Sequence, residues 1–428
     1  TSPMNRTSVF TIIFTILSPL GSYAQYASSS KAPKKAGDLI ESTSYNDHKR
    51  GTPRALQYLP SGEDFVCVNG KNRYTRALYG SPTAWRLETS DRPIFATYVK
   101  NDSRNIRFRL RLPDGTVTPL EETAWCEARY NPGSRIYLLK DKTWGENCVL
   151  KISVLASLTE EMAMWKFSGE LPAGCELEVL NSPIRQKLFR SGDMGADPPG
   201  CFEPAEDGTV LQTLKCRFPS DGNLYISIVR NELKEVPDGD VQYLTLQNAC
   251  RELAGRIKIT TPDPYFNTLG GALAVAADGI WGEEGVWLHG AIGWRMPLSG
   301  WRAAYVGDVL GWHDRARTHF DNYAASQVTG IPNTIPHPAQ DSALALARSA
   351  KIWGTPQYSN GYICRNPRRN NQMHHYDMNL CYIDELLWHF NWTGDLDYAR
   401  RMWPLLTLHL AWEKRNFDPD NDGLYDAY

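Results

Sequence analysis

Neither sign of charge dominates this chain: 46 basic residues stand against 48 acidic ones, a net charge of −2 over 428 residues. That removes the electrostatic basis for nucleic-acid binding. Cys-x-x-Cys spacing is missing. The nine cysteines are scattered singly, which argues against zinc and names no disulfide pair. They read as small buried hydrophobes with at most a bridge or two. The apolar run Val9–Leu17 is too short to cross a bilayer. Arg6 precedes it and Ser22-Tyr23-Ala24 follows, a small-x-small site before Gln25. We read a secretory signal starting at Met4 and cleaved after Ala24. No cysteine follows that point, so a lipoprotein anchor is not expected. The protein is expected to be secreted or periplasmic, without membrane insertion once the signal is removed.

Aromatic residues are plentiful, with 14 Trp and 21 Tyr. Part of that is ordinary core, but clefts that bind sugars also use flat aromatic faces. Four regions emerge: a signal region over 1–24, a Ser/Lys/Ala/Pro-rich linker over 25–54, a β-rich domain over 55–258 and a helical domain over 259–428. In the β-rich region Ile106, Phe108, Leu110 and Leu112 alternate with Arg107, Arg109 and Arg111 before a Pro113-Asp114-Gly115 turn. That is the period-two pattern of a half-buried strand. Many such short runs separated by Gly/Pro turns predict an antiparallel sandwich.

After Thr261-Pro262-Asp263-Pro264 the period changes. Phe266, Leu269, Leu273, Ala276, Ala277 and Ile280 predict a helix over 263–281. Helices are expected over 301–310 and 313–326. A helical hairpin follows around Thr393-Gly394-Asp395. Ile383, Leu386, Leu387 and Phe390 face inward on its first arm; Ala399, Met402, Trp403, Leu406 and Leu410 do so on its second. Pro404 should kink or break that second arm. Connections alternate in length. Those at 282–300, 327–376 and 416–428 are long; Gly311-Trp312 and the Thr393–Asp395 turn are short. Antiparallel helices put all long connections on one face, as in a ring of hairpins with a single-face active site. Tyr428 comes where another helix would start, so a fragment is expected.

The Leu387-Trp388…Thr393-Gly394-Asp395 unit, Trp403-Pro404-Leu405, the Asp420–Leu424 turn and Gly300-Trp301-Arg302, following a sandwich, resemble the six-hairpin (α/α)6-toroid glycosidases. That group holds α-L-rhamnosidases, glucoamylase-like enzymes and the cellobiose and maltose phosphorylases. More narrowly, residues 55–428 resemble a family of secreted glycan-utilisation proteins from gut-type Gram-negative bacteria, described as a domain of unknown function. The resemblance implies a multidomain α and β protein: an N-terminal antiparallel β-sandwich followed by an (α/α)6 toroid, here truncated. It also implies a glycoside hydrolase, inverting by family analogy. One departure is clear. The phosphorylases continue Gly-x-Arg with an acidic Asp, whereas Gly300-Trp301-Arg302 continues with Ala303-Ala304, which argues against phosphorolysis.

Glycoside hydrolysis needs an acid at the leaving oxygen and a base or nucleophile about 5–10 Å away. The long-connection face offers Glu283, Glu284, Asp308, Asp341, Asp377 and Asp426. Asp377 leads, since it opens a helix beside His374, His375 and Tyr376; Glu284 and Asp308 follow. Asp377 is equally placed to be a plain helix N-cap. Asp308 is equally placed to pair with Arg302 or Arg315. Trp287, Trp294 and Trp301 with His289, Arg295 and Arg302 read as substrate contacts, aromatic faces for pyranose rings and cations for hydroxyls. Asp426 would join them. The run Arg365-Asn366-Pro367-Arg368-Arg369 reads as a uronate reader or a solvated loop. Asp418, Asp420, Asp422 and Gly423 match half an EF-hand loop, but a turn without metal is preferred. No metal or cofactor is expected, and the partner is a carbohydrate. A polysaccharide lyase and a non-catalytic glycan-binding protein remain the alternatives. Nothing in the composition fixes an oligomeric state.

Overall fold

A computed structural model describes residues 42–43, 53–54, 57–71, 74–185, 200–220, 222–291, 295–329, 360–370, 377–418 and 421–425. Antiparallel sheets fill the N-terminal part and helices the C-terminal part. One sheet has eight strands. Its order is Glu232–Glu235, Leu224–Val229, Met162–Glu170, Val149–Ala156, Ser134–Lys140, Trp125–Asn131, Asp64–Val68 and Leu59–Ser61. The other runs Gln212–Arg217, Glu176–Pro183, Arg104–Arg111, Ile94–Tyr98, Arg86–Ser90 and Tyr74–Tyr79, with Val117–Pro119 against Arg104–Arg111. A separate two-residue pairing joins Ser42–Thr43 to Pro53–Arg54.

The period-two strand behaves as its pattern requires. Ile106, Phe108 and Leu110 are wholly buried and Leu112 nearly so, and the intervening arginines are half-buried. Their partners come from the opposite sheet. Phe95 and Phe108 meet Trp165 edge-on at ring separations of 5.4 and 5.6 Å, and Phe95 meets Tyr137 at 5.7 Å. Each such ring is worth roughly 1.5–3 kcal/mol of burial, with up to about 1 kcal/mol more from edge-to-face geometry. All nine cysteines are free thiols, and all but Cys148 and Cys381 are buried.

Among the described residues six helices follow: α1 (Asp240–Ala254), α2 (Pro264–Gly279), α3 (Tyr305–Val309), α4 (His313–Ala324), α5 (Asp377–Thr393) and α6 (Leu396–Phe417). α1 falls inside the region read as all β. Its opening, Val236-Pro237-Asp238-Gly239, carries turn chemistry, and only Tyr243, Cys250 and Leu253 are buried along it. Such a thin stripe gives little periodic signal. α3 is only five residues long, because Arg302 takes a positive φ of 63° and interrupts the expected helix. α6 runs unbroken through Pro404, so the expected break is absent.

α4 buries its apolar face, Ala316, Phe320 and Tyr323, whereas α2, α5 and α6 leave part of their apolar faces exposed. On α2 the buried set is Thr268, Gly270, Ala274, Val275 and Ala277, while Phe266, Leu269 and Leu273 are exposed. On α5, Met378, Tyr382, Glu385, Leu386 and His389 are buried and Leu387 and Trp388 exposed. On α6, Tyr398, Met402, Leu405, His409, Trp412 and Glu413 are buried, whereas Trp403 and Leu410 are exposed. The inward stripes are therefore offset from those the hydrophobic pattern marks.

The two parts are stitched together. Tyr243 on α1 donates to Ser153 Oγ at 2.8 Å, and Thr268 on α2 donates to the Gly62 carbonyl at 3.0 Å. Arg295 donates to the carbonyls of Pro82 (2.7 Å), Gly279 (2.6 Å) and Trp281 (3.2 Å).

Candidate functional site

The described long connections converge at one end of the helices. The Glu284 carbonyl accepts from Asn322 Nδ2 at 2.9 Å and from Arg368 Nη2, which ties loop 282–300 to the end of α4 and to segment 360–370. Asn379, in the first turn of α5, exchanges two hydrogen bonds with Ile363, donating at 3.2 Å and accepting at 2.7 Å. At the opposite end Arg317 meets Asp395 of the Thr393–Asp395 turn at 3.1 Å. There Asp395 caps α6 by accepting from Tyr398 N at 2.9 Å.

Gly300 fixes how loop 282–300 approaches α5. A Cβ on Gly300 would lie 1.8 Å from the Met378 carbonyl oxygen and 2.4 Å from Tyr382 N. Only glycine allows that approach. It lays the stretch Gly300–Ala304 along α5, directly over Glu385. The Glu385 carboxyl is 2% exposed, and neither oxygen has a hydrogen-bond partner. Burial pushes its pKa well above the ordinary 4.5. The backbone amides of Ala304 and Arg302 lie near enough to oppose that shift, without the alignment for a hydrogen bond, and the nearby Asp384 adds to it. Desolvation outweighs those amides, so the site favours the neutral form of the acid. Trp301 stands above this stretch, 46% exposed, with the His289 ring edge-on at 4.4 Å. Burial lowers the His289 pKa. Arg302 is exposed, in a backbone conformation that costs about 1 kcal/mol or more.

One turn further along the same face of α5, His389 is fully buried. Its Nδ1 faces both oxygens of Asp308, at 2.9 and 3.0 Å. His313 Nδ1 reaches Asp308 Oδ1 at 2.7 Å. Asp308 is thus held by two imidazoles, not by Arg302 or Arg315. It sits beside the short Gly311-Trp312 turn, because α3 ends one residue later. That places it away from the long-connection end where the sequence reading put it. Arg315 pairs with Asp278 instead, at 2.7 Å.

The remaining sequence candidates divide as follows. Trp287 is wholly buried against Trp281, His319 and Gly307, so both its faces are taken by packing. His319 accepts the Trp287 backbone N–H at 3.1 Å, and burial lowers its pKa to about 3, which keeps the ring neutral. Arg295 spends its guanidinium on backbone carbonyls, not on a ligand. Glu283 and Glu284 have exposed side chains at the long-connection end. Arg368 is committed to Glu284 and Asn322, and Arg365 to Met296. Asp418 and Asp422 accept the N–H groups of Gly423 (3.3 Å) and Leu424 (2.8 Å), as turn caps. Trp294, Asp341, His374, His375, Tyr376, Asp420 and Asp426 lie outside the described residues, as does the side chain of Asp377, whose backbone begins α5.

Two acidic residues that the sequence reading passed over lie in the helical core. Glu385 is one. The other is Glu413, in the last turns of α6, 2% exposed and paired with buried His409 at 2.8 Å. In both cases a carboxylate and a histidine are four residues apart on one helix face: Glu385 with His389, His409 with Glu413. Hydrophobic periodicity assigns such residues to solvent. The i, i+4 repeat of acid and imidazole inside an apolar stripe is the signal that could have found them.

A family described as "Domain of unknown function (DUF4450)" matches residues 102–217, a span that includes the strands from Arg104–Arg111 to Gln212–Arg217. No curated protein matches. Among solved structures, the crystal structure of a bacterial glucoamylase complexed with acarbose matches with a TM-score of 0.36 and 9% identity, over 71% of this chain and 55% of that one. The chain thus spans about half of that enzyme, and no residue is carried over from it.

Proposed function

We propose that this protein is an exported glycoside hydrolase acting on a plant or host polysaccharide, and that its helical half belongs to an (α/α)6 ring. The observation that supports this most is Glu385. A carboxyl that burial pushes toward its neutral form is biased to the state a general acid needs before it protonates a glycosidic oxygen. It lies under Gly300–Ala304, the stretch whose relatives among the phosphorylases carry an acidic Asp that is missing here. In this reading Glu385 supplies the proton that Ala303 cannot. The exposed face of Trp301 stacks on a sugar ring, and Arg302 contacts its hydroxyls. The strained Arg302 backbone lets the stretch shift and open Glu385 to the bound sugar. A second carboxylate at the long-connection end would activate water. Glu284, Asp377 and Glu413 are the candidates, and inversion is the expected stereochemical course.

The test is reducing-end release from a panel of plant and host polysaccharides by the full chain and by Glu385→Gln. The expected result is hydrolysis that the substitution lowers by a hundredfold or more. Binding without turnover by the unaltered chain would leave a glycan-binding protein. Ultraviolet absorbance from an unsaturated uronate product would make the enzyme a lyase.

A further inference from the structure

A cleft of about 700 Å³, with Glu385 not among its lining residues, lies in the seam between the sandwich and the first two helices. Its floor is the outer face of the eight-stranded sheet, with Lys151, Ser153 and Leu155 pointing into it. α1 forms one wall, presenting Tyr243, Gln247 and Arg251 at four-residue spacing. The segment after α1, carrying Lys258, and the first turns of α2 close the other side. The volume lies within the range of small-ligand sites, which favour such domain seams.

Its electrostatics are one-sided. Lys151, Arg251 and Lys258 line it against a single carboxylate, Glu63. The side chains of Lys151, Gln247, Arg251 and Lys258 make no hydrogen bond or ion pair among the described residues. The whole chain is almost neutral, at −2 over 428 residues, so this concentration of cations is local. Several arginines elsewhere in the sandwich are paired: Arg86 with Glu88, Arg111 with Glu178, Arg129 with Asp64 and Glu127. Three unpaired cations converging on a concave surface with a free amide and hydroxyls suit a ligand that carries several anions and many hydroxyls.

We infer that this seam binds an acidic oligosaccharide segment, its carboxylate or sulfate groups held by Lys151, Arg251 and Lys258. The sheet floor and the Tyr243–Ser153 hydrogen bond, at 2.8 Å, fix the cleft's shape. It would hold a polymeric chain at a distance from the site under Trp301. The choice of a saccharide rests on the function proposed above; the anion site itself does not.

Calorimetric titration of the full chain tests this. The ligands are oligogalacturonate, a sulfated oligosaccharide and a neutral oligosaccharide of the same length, and inorganic sulfate. At least one acidic oligosaccharide should bind, with affinity falling as salt rises. The combined Lys151→Ala, Arg251→Ala and Lys258→Ala substitutions should weaken it tenfold or more, and Lys258→Glu alone should weaken it measurably. Glu385→Gln should leave it unchanged, which separates this site from the proposed catalytic one. Equal binding of the neutral oligosaccharide, equal affinity for inorganic sulfate, or undiminished binding by both cleft variants overturns the inference. So does failure of both acidic ligands to bind.

Discussion

Glu385→Gln exchanges a buried carboxyl for an amide of nearly the same shape, and the structure fixes how stability should respond to pH. Below about pH 4.5 the carboxyl carries its proton in both folded and unfolded chains, and it imposes no pH-dependent cost. Above that the unfolded chain releases the proton while the folded chain keeps it, because burial raises the folded pKa. Native stability therefore falls as pH rises, by about 1.4 kcal/mol per pH unit, until the folded pKa is passed. The cost of holding the proton therefore grows with pH up to the folded pKa. Glutamine removes that cost. Its own buried amide adds an unpaired polar group worth about 1–3 kcal/mol, but does so equally at every pH. The readout is the difference in slope: urea midpoints of both proteins from pH 4.5 to 8. The variant should gain on the parent steadily as pH rises, while losing hydrolytic activity. A stabilising change that removes activity marks a residue kept for function rather than for folding. Identical pH slopes for the two proteins would refute the neutral carboxyl, and with it the acid role.

Three further outcomes are expected. Asp308→Asn should lower stability by about 1–3 kcal/mol, since it replaces the carboxylate that the buried His389 ring faces with an amide, and urea unfolding near neutral pH would show it. Gly300→Ala should cost more than about 3 kcal/mol, or prevent folding, because its Cβ has no room against the Met378 carbonyl; thermal unfolding against a Gly282→Ala control checks this. Trp301→Ala should change stability by less than about 1 kcal/mol, as the ring is half exposed. It should raise KM for polysaccharide roughly tenfold, the scale of a lost sugar-stacking contact.

The sandwich was legible because its strands obey a period of two with Gly/Pro punctuation, and Ile106, Phe108 and Leu110 face inward as their alternation demands. The helices were legible in position and, for α4 with its buried Ala316, Phe320 and Tyr323, in rotation; on α2, α5 and α6 the rotation was legible only in part. Phe266, Leu273, Leu387, Trp403 and Leu410 look like core residues and are exposed, while Glu385, His389, His409 and Glu413 look like surface residues and are buried. Hydrophobic pattern ranks residues by transfer free energy alone. It cannot see a carboxylate and an imidazole satisfying each other across or along helices, as Asp308 does with His389 and Glu413 with His409. Trp287 and Arg295 were misread for a related reason. Large aromatic and guanidinium groups serve packing and backbone capping as readily as ligands, and only the surrounding atoms decide. The significance of Gly300 was half visible in the Gly-Trp-Arg stretch; its contact with α5 required coordinates.

Arg295 gives its charge to three carbonyls, one on the sandwich and two at the end of α2. Burial lowers its pKa to about 10, which still leaves it cationic throughout the range where the protein would work. A clamp built on dipoles rather than on a carboxylate has no acidic partner to neutralise, so mild acid does not release it. The sandwich and the start of the helical half should then move as one body at this corner. Access to anything beneath the Gly300–Ala304 stretch would depend on local rearrangement of that stretch, and the two halves would not need to swing apart like a hinge.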